Sequence, residues 1–144
     1  MIFGNGGSAA DSLHFSAELV GKFLKDRDAL NVICLNSNQA TITAWSNDFS
    51  FDSVFERQIM AHGKKNGVAI AITTSGKSKN VLLGIKKANQ IGMGTIALTG
   101  NNKYLDDKVD VCISVPSNET PVIQECHVII YHYICMRVEE DLFG

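Results

Sequence analysis

His14 and Glu18 stand four residues apart in a stretch free of proline. On a helix that spacing puts both side chains on one face, within reach of a common ion. An imidazole nitrogen beside a carboxylate oxygen suits zinc or a similar divalent metal. An exposed polar pair at i,i+4 satisfies the same spacing without any ligand. Near the other end of the chain, Gln124, Glu125, His127 and His132 interrupt an apolar stretch from Val122 to Cys135. At roughly 100° per residue, Glu125 and His132 fall on one stripe, whereas Gln124 lies about 80° from His132 and roughly 12 Å from it along a straight axis. Periodicity alone therefore pairs Glu125 with His132. His127 reads as a hydrogen-bonded structural histidine, since nothing else in the sequence converges on it.

Two loops have the composition of an anion site. Gly4-Asn5-Gly6-Gly7-Ser8 precedes a helix, so its glycines allow close backbone approach while the helix N-terminus offers unpaired N–H groups. A tight strand-to-helix turn needs the same glycines. Thr73-Thr74-Ser75-Gly76-Lys77-Ser78 follows an apolar run and sets hydroxyls beside a second helix start. An ordinary cap cluster is the plain alternative. The first loop does not fit G-x-x-x-x-G-K-[ST], and Ala9 occupies the last glycine position of G-x-G-x-x-G, which weakens a dinucleotide reading. Asn47-Asp48 has the form of an Asx turn, placed after a crossover where it can face the same pocket.

These groups need a frame to bring them together. The 144 residues are 45% hydrophobic and 19% charged, enough for a single domain over 1–144 with a sizeable core. A formal net charge of -2 offers no field for nucleic acid, so an anion must be held by a few placed groups. No apolar run has the length of a membrane span, and no partner membrane is expected. Cys34, Cys112, Cys126 and Cys135 form no C-x-x-C pair, which suits free thiols in a reducing cytoplasm.

Helical spacing predicts a helix over Ala9–Lys25, a strand over Ala29–Leu35, a short helix over Ala40–Trp45 and a loop through Ser46–Ser50. Helices are expected over Asp52–His62, Lys79–Gln90 and from Thr120 or Pro121 to Phe143; strands are expected over Gly67–Thr73, Gly94–Thr99 and Val111–Val115. Gly67–Thr73 is apolar throughout and should lie centrally, covered on both faces. Strands alternating with helices imply parallel pairing in a doubly wound α/β sheet, with ligands at the carboxyl ends of the strands. Met1-Ile2-Phe3 leaves almost no room for the strand that should precede the glycine loop, so the N-terminus looks clipped.

The run from Gly4 to Phe15, with Glu18-Leu19-Val20-Gly21-Lys22-Phe23, Ser46-Asn47-Asp48-Phe49, Thr74-Ser75-Gly76-Lys77-Ser78-Lys79-Asn80-Val81 and Ile123-Gln124-Glu125 with His132, resembles the sugar isomerase (SIS) domain family. Within that family the likeness is to its sedoheptulose 7-phosphate isomerases, and it covers essentially the whole chain. It implies a flavodoxin-like three-layer sandwich with a five-stranded parallel sheet, and a homotetramer with active sites between subunits. It also implies an N-terminal helical segment that this sequence lacks. The implied reaction converts sedoheptulose 7-phosphate to D-glycero-D-manno-heptose 7-phosphate for bacterial surface heptose. Carried over by motif position, His14, Glu18, Gln124 and His132 would hold one Zn2+ per subunit, with Glu18 and His132 catalytic. Asn5, Gly6, Gly7, Glu18, Asn47, Asp48, Thr73, Thr74, Ser75, Ser78 and Gln124 would contact the substrate. Lys22, Thr73 and Val122 depart from residues common in the family. The rival readings are a non-catalytic SIS protein that binds a sugar phosphate to regulate or scaffold, and a nucleotide-dependent oxidoreductase. The joint presence of the four ligand positions favours the isomerase.

Overall fold

In the computed structural model, which describes residues 1–144, the elements run in the order β1 (Ile2–Gly4), α1 (Gly7–Val20), α2 (Gln39–Asp48), a 3-10 turn (Phe51–Ser53), α3 (Val54–His62), β2 (Val68–Thr73), α4 (Lys79–Ile91), β3 (Gly94–Thr99), β4 (Val111–Ser114) and α5 (Thr120–Phe143). β2 is buried over all but its first residue, as an unbroken Val/Ala/Ile run requires. It pairs in parallel with β1 on one side and β3 on the other, and β4 extends the sheet beyond β3.

Alternation along the strands builds two cores. Phe3, Ala71 and Ala97 face Phe55, Ile59, Val81 and Ile85 of α3 and α4. Their neighbours Ile2, Ile72 and Leu98 face Phe15 and Leu19 of α1 and Tyr131 and Cys135 of α5. The sheet is thus the middle of three layers, with α3 and α4 on one face and α1 and α5 on the other. No helix is long and apolar enough to cross a membrane.

Several expected boundaries shift, each for a local reason. The sheet has four strands and not five: the segment 29–35 contributes one isolated parallel bridge, Ile2 with Cys34. Ile2 donates to the Ile33 carbonyl and accepts from the Leu35 amide, both at 2.9 Å. One position further, the side chain of Asn36 replaces the ladder, taking the Gly4 amide at 3.2 Å and donating to the Gly4 carbonyl at 2.9 Å. Although only three residues long, β1 does form ahead of the glycine loop. α2 runs on through Asn47 and Asp48, where a loop was expected. Asn38 caps its start by accepting from the Thr41 amide, and Trp45 pins its end by stacking on Phe49, donating to the Ser53 hydroxyl and lying under Arg57. α1 stops at Val20, five residues short of the expected end.

The backbone just past α1 explains that stop. Beyond Gly21 the amides of Phe23, Leu24 and Lys25 all donate to the Glu139 carboxylate of α5, at 2.8–3.0 Å. Arg27 completes the shell with a 3.1 Å contact from Nε, and both side chains of this ion pair are 1% exposed. Burial pushes the Glu139 carboxyl upward, but the three amides and the guanidinium outweigh it and hold it at about 2, below its ordinary 4.5. A depressed carboxylate stabilises the fold above its unfolded value and stops doing so as pH falls through the folded one. Urea unfolding midpoints are therefore expected to fall as pH drops from about 4.5 toward about 2, and to fall less in Glu139→Gln, which starts from lower stability. Equal pH slopes in the two proteins would count against this anchor.

Candidate active site

Counting the Cys34 bridge, the chain order across the sheet is 2-1-3-4-5, and the direction of winding reverses beside β1. The loop after β1 leads into α1 on one face of the sheet, whereas the loop after β2 leads into α4 on the other. A crevice must open between them at the carboxyl edge. A cavity of about 290 Å³ lies there, lined by Asn5, Gly6, Gly7, Ser8, Ile72, Thr73, Thr74, Ser75, Ser78, Thr120 and Gln124.

The lining has no lysine or arginine, so only dipoles could hold an anion there. Gly6 caps α1 at φ 58°, a conformation natural to glycine, and brings no capping side chain. Ser78 caps α4, also without a side-chain capping bond. The Asn5 and Gly6 carbonyls take the Ser8 and Ala9 amides and the Asn80 side chain takes that of Val81, which leaves Gly7 at the first start and Lys79 and Asn80 at the second with N–H groups for a ligand. Two hydroxyls brace the second loop, as Thr73 accepts from the Gly76 amide at 3.3 Å and Ser75 from the Lys77 amide at 3.2 Å. Asn5 and Asn80 exchange amide hydrogen bonds of 2.8 and 2.9 Å, which locks the glycine loop to the start of α4 and commits the Asn5 side chain. At the α5 side the Gln124 amide lies over Gly7, where a Cβ would collide with it.

The second cluster lies further along the same pair of helices. His14 Nε2 is 3.0 Å from Glu18 Oε1 and 3.5 Å from His132 Nε2. Donor atoms of His14, Glu18 and His132 all lie within 4.8 Å of one another. Two ligands about 2.0–2.1 Å from a tetrahedral zinc are roughly 3.3 Å apart, close to the 3.0 and 3.5 Å spacings from His14. Glu125, the partner that periodicity chose for His132, is outside this group. α1 and α5 run side by side in the same direction, so His132 reaches His14 across the helix pair rather than reaching Glu125 along its own axis.

Aromatic packing fixes the cluster. His14 meets Tyr131 and His132 edge-on, His132 stacks on Phe23, and Tyr131 stacks on Phe15. The fully buried Tyr131 brings its hydroxyl to 2.7 Å from His14 Nδ1. Burial, then the negative charge of Asp11 and its neighbours, pushes the phenol up to about 12. Burial likewise raises the Asp11 carboxyl, with His14 opposing and Glu125 reinforcing the shift. His127 is fully buried with its Nε2 3.2 Å from the Thr99 carbonyl; burial lowers its pKa, the structural role its sequence context suggests.

Asn47 and Asp48 stand apart from both clusters within one chain. They share a 2.9 Å hydrogen bond at the end of α2, and Asp48 lines a different cavity with Trp45 and Arg57. A larger groove of about 570 Å³ along α4 is lined by Leu82, Leu83, Ile85 and Lys86 among others, and contains none of the anion-cradle or metal-cluster residues. Thr120 and Tyr131 line or adjoin these clusters without being singled out by sequence pattern. Thr120 was detectable as a hydroxyl at a helix start, whereas Tyr131 looks like one more apolar core residue.

The model of the SIS domain matches residues 1–100. The chain belongs to the SIS domain family. Among relatives of this SIS domain, a phosphoheptose isomerase of Aquifex aeolicus is 48% identical over 141 residues, covering 97% of this chain and 74% of that protein. One from Crocosphaera subtropica is 47% identical over 145 residues, covering 100% of this chain and 74% of its own length. The solved phosphoheptose isomerase of Francisella tularensis superposes with a TM-score of 0.91 at 35% identity, over 96% of this SIS domain and 75% of that chain.

Proposed function

We propose that this SIS domain isomerises sedoheptulose 7-phosphate to D-glycero-D-manno-heptose 7-phosphate, the aldose used for bacterial surface heptose. One observation carries the reading: an uncharged anion cradle and a His-Glu-His cluster occupy successive levels of the same two helices. Its kinship with phosphoheptose isomerases supports the same assignment.

Each chain residue then has a task. Gly6, Gly7, Thr73, Thr74, Ser75 and Ser78 hold the phosphate end, with Asn5 stiffening the loop. Gln124, which lines the cradle beside Gly7, contacts the sugar. Glu18 turns Oε1 toward His14, which leaves its second oxygen to take a proton from C1 of the ketose and return it to C2. The ring nitrogen of His132 not used for the ion would serve O1 and O2, removing the proton from one as the other gains one, so the sugar passes through an enediol. His14, Glu18 and His132 would hold one Zn2+, with Gln124 as a fourth ligand once its side chain turns away from Gly7, and a bound zinc would polarise the carbonyl. Asn47 and Asp48 would contact the sugar in a homotetramer whose sites lie between subunits, since neither lines the cavity of its own chain. Four free thiols suit a cytoplasmic setting.

The test is purified protein with sedoheptulose 7-phosphate, assayed for the aldose with and without chelator. Product is expected in zinc-replete protein, with loss of at least about 10²-fold on chelation and recovery on adding zinc. No aldose under zinc-replete conditions would return the chain to a sugar-phosphate-binding regulator.

A further inference from the structure

We propose that Tyr131 is a positioning residue for the metal site, holding the His14 ring so that Nε2 faces the ion while Nδ1 keeps a hydrogen-bond partner in either tautomer. This rests on the proposed zinc site and adds to it a group that touches neither sugar nor ion. Two contacts define the His14 ring: Nε2 lies 3.0 Å from Glu18 Oε1 and Nδ1 lies 2.7 Å from the Tyr131 hydroxyl. An ionised Glu18 can only accept, so in a neutral ring Nε2 carries the hydrogen and the Tyr131 hydroxyl donates to Nδ1. An ion on Nε2 reverses this pattern. Nε2 must surrender its proton, so neutral His14 carries its hydrogen on Nδ1 and needs an acceptor there.

A phenol meets both demands, because its oxygen accepts as readily as its O–H donates. Tyr131 is also held where it must be. It is fully buried, stacked on Phe15 at 5.2 Å, and set edge-on against both histidine rings. As the residue before His132, it lets one turn of α5 supply a ligand and orient its partner ligand on α1. A phenylalanine would keep the stacking but remove the one protein group that hydrogen-bonds Nδ1, so the ring is held less firmly for the ion.

The experiment uses the full chain and zinc itself. Zinc affinity is measured by competition with a chromophoric chelator for wild type and Tyr131→Phe, together with melting of both metal-free proteins. The expected result is a zinc affinity weaker by roughly 10- to 100-fold in the variant, with closely similar metal-free melting. Equal affinities would overturn the positioning role while leaving the metal site standing. Wild type that fails to bind zinc would overturn both. A second readout is independent of how the variant folds: in ¹⁵N-histidine spectra of zinc-loaded wild type, the signal absent from His14→Asn should show a protonated Nδ1. A proton on Nε2 there would overturn the proposal.

Discussion

Glu18→Gln is expected to lower kcat by roughly 10²–10⁴-fold while sugar-phosphate binding stays measurable. The amide keeps the shape of the side chain, and its oxygen still lies within reach of His14, but it has no basic site for the C1 proton. Binding should survive because the cradle is built from other residues, at the level of Gly7 rather than His14. The assay belongs at saturating zinc, so that weaker metal retention is not read as lost chemistry. Titration calorimetry with substrate supplies the second arm. Full activity in this variant would remove Glu18 from the proton transfer, and lost binding with intact residual turnover would place it in the cradle instead.

The largest structural loss is expected from Gly4→Ala. A Cβ there would lie 2.6 Å from the Ile72 carbonyl oxygen and 2.8 Å from both Cβ and the carbonyl oxygen of Ser8. Two of those atoms are main chain, one in the central strand and one in the first turn of α1, so no side-chain rotation relieves the clash. Either β1 leaves β2 or α1 tilts away from the sheet, and both movements break the cradle. Overpacking of this kind costs about 1–3 kcal/mol or more, to be measured as a drop in the urea midpoint with the slope unchanged. Phosphate-end affinity should fall with it. A variant of wild-type stability would mean that the glycine loop has more room than its contacts allow.

Much of this architecture is legible in local pattern. Gly94–Thr99 announces a strand by its β-branched and apolar run, and Thr120–Phe143 announces a long helix by its length without glycine. Both glycine and hydroxyl loops declare themselves because anion binding and helix starts favour the same small polar residues. What stayed hidden depends on partners distant in sequence. Glu139 holds the backbone of residues 23–25 from more than a hundred positions away, and nothing near Lys25 signals that its helix has already ended. Periodicity on α5 joins His132 to Glu125, since spacing along one helix carries no information about which neighbour lies across from it. The stretch 46–50 reads as a turn by composition, yet Trp45 holds the last turn of α2 through contacts with Ser53 and Arg57. His14 and Glu18 are visible as a pair, but their relation to His132 requires both helices in place.

The parallel course of α1 and α5 also works as a gauge. Gly7 faces Gln124 at one mark, and His14 faces Tyr131 and His132 at the next, seven residues on along α1, or roughly 10 Å of helix. A sugar phosphate gripped at its phosphate presents to the His-Glu-His cluster whichever carbon lies that far along its backbone. In the proposed isomerase this span of helix would set the chain length accepted, and a shorter sugar phosphate would fill the cradle yet leave its carbonyl short of Glu18.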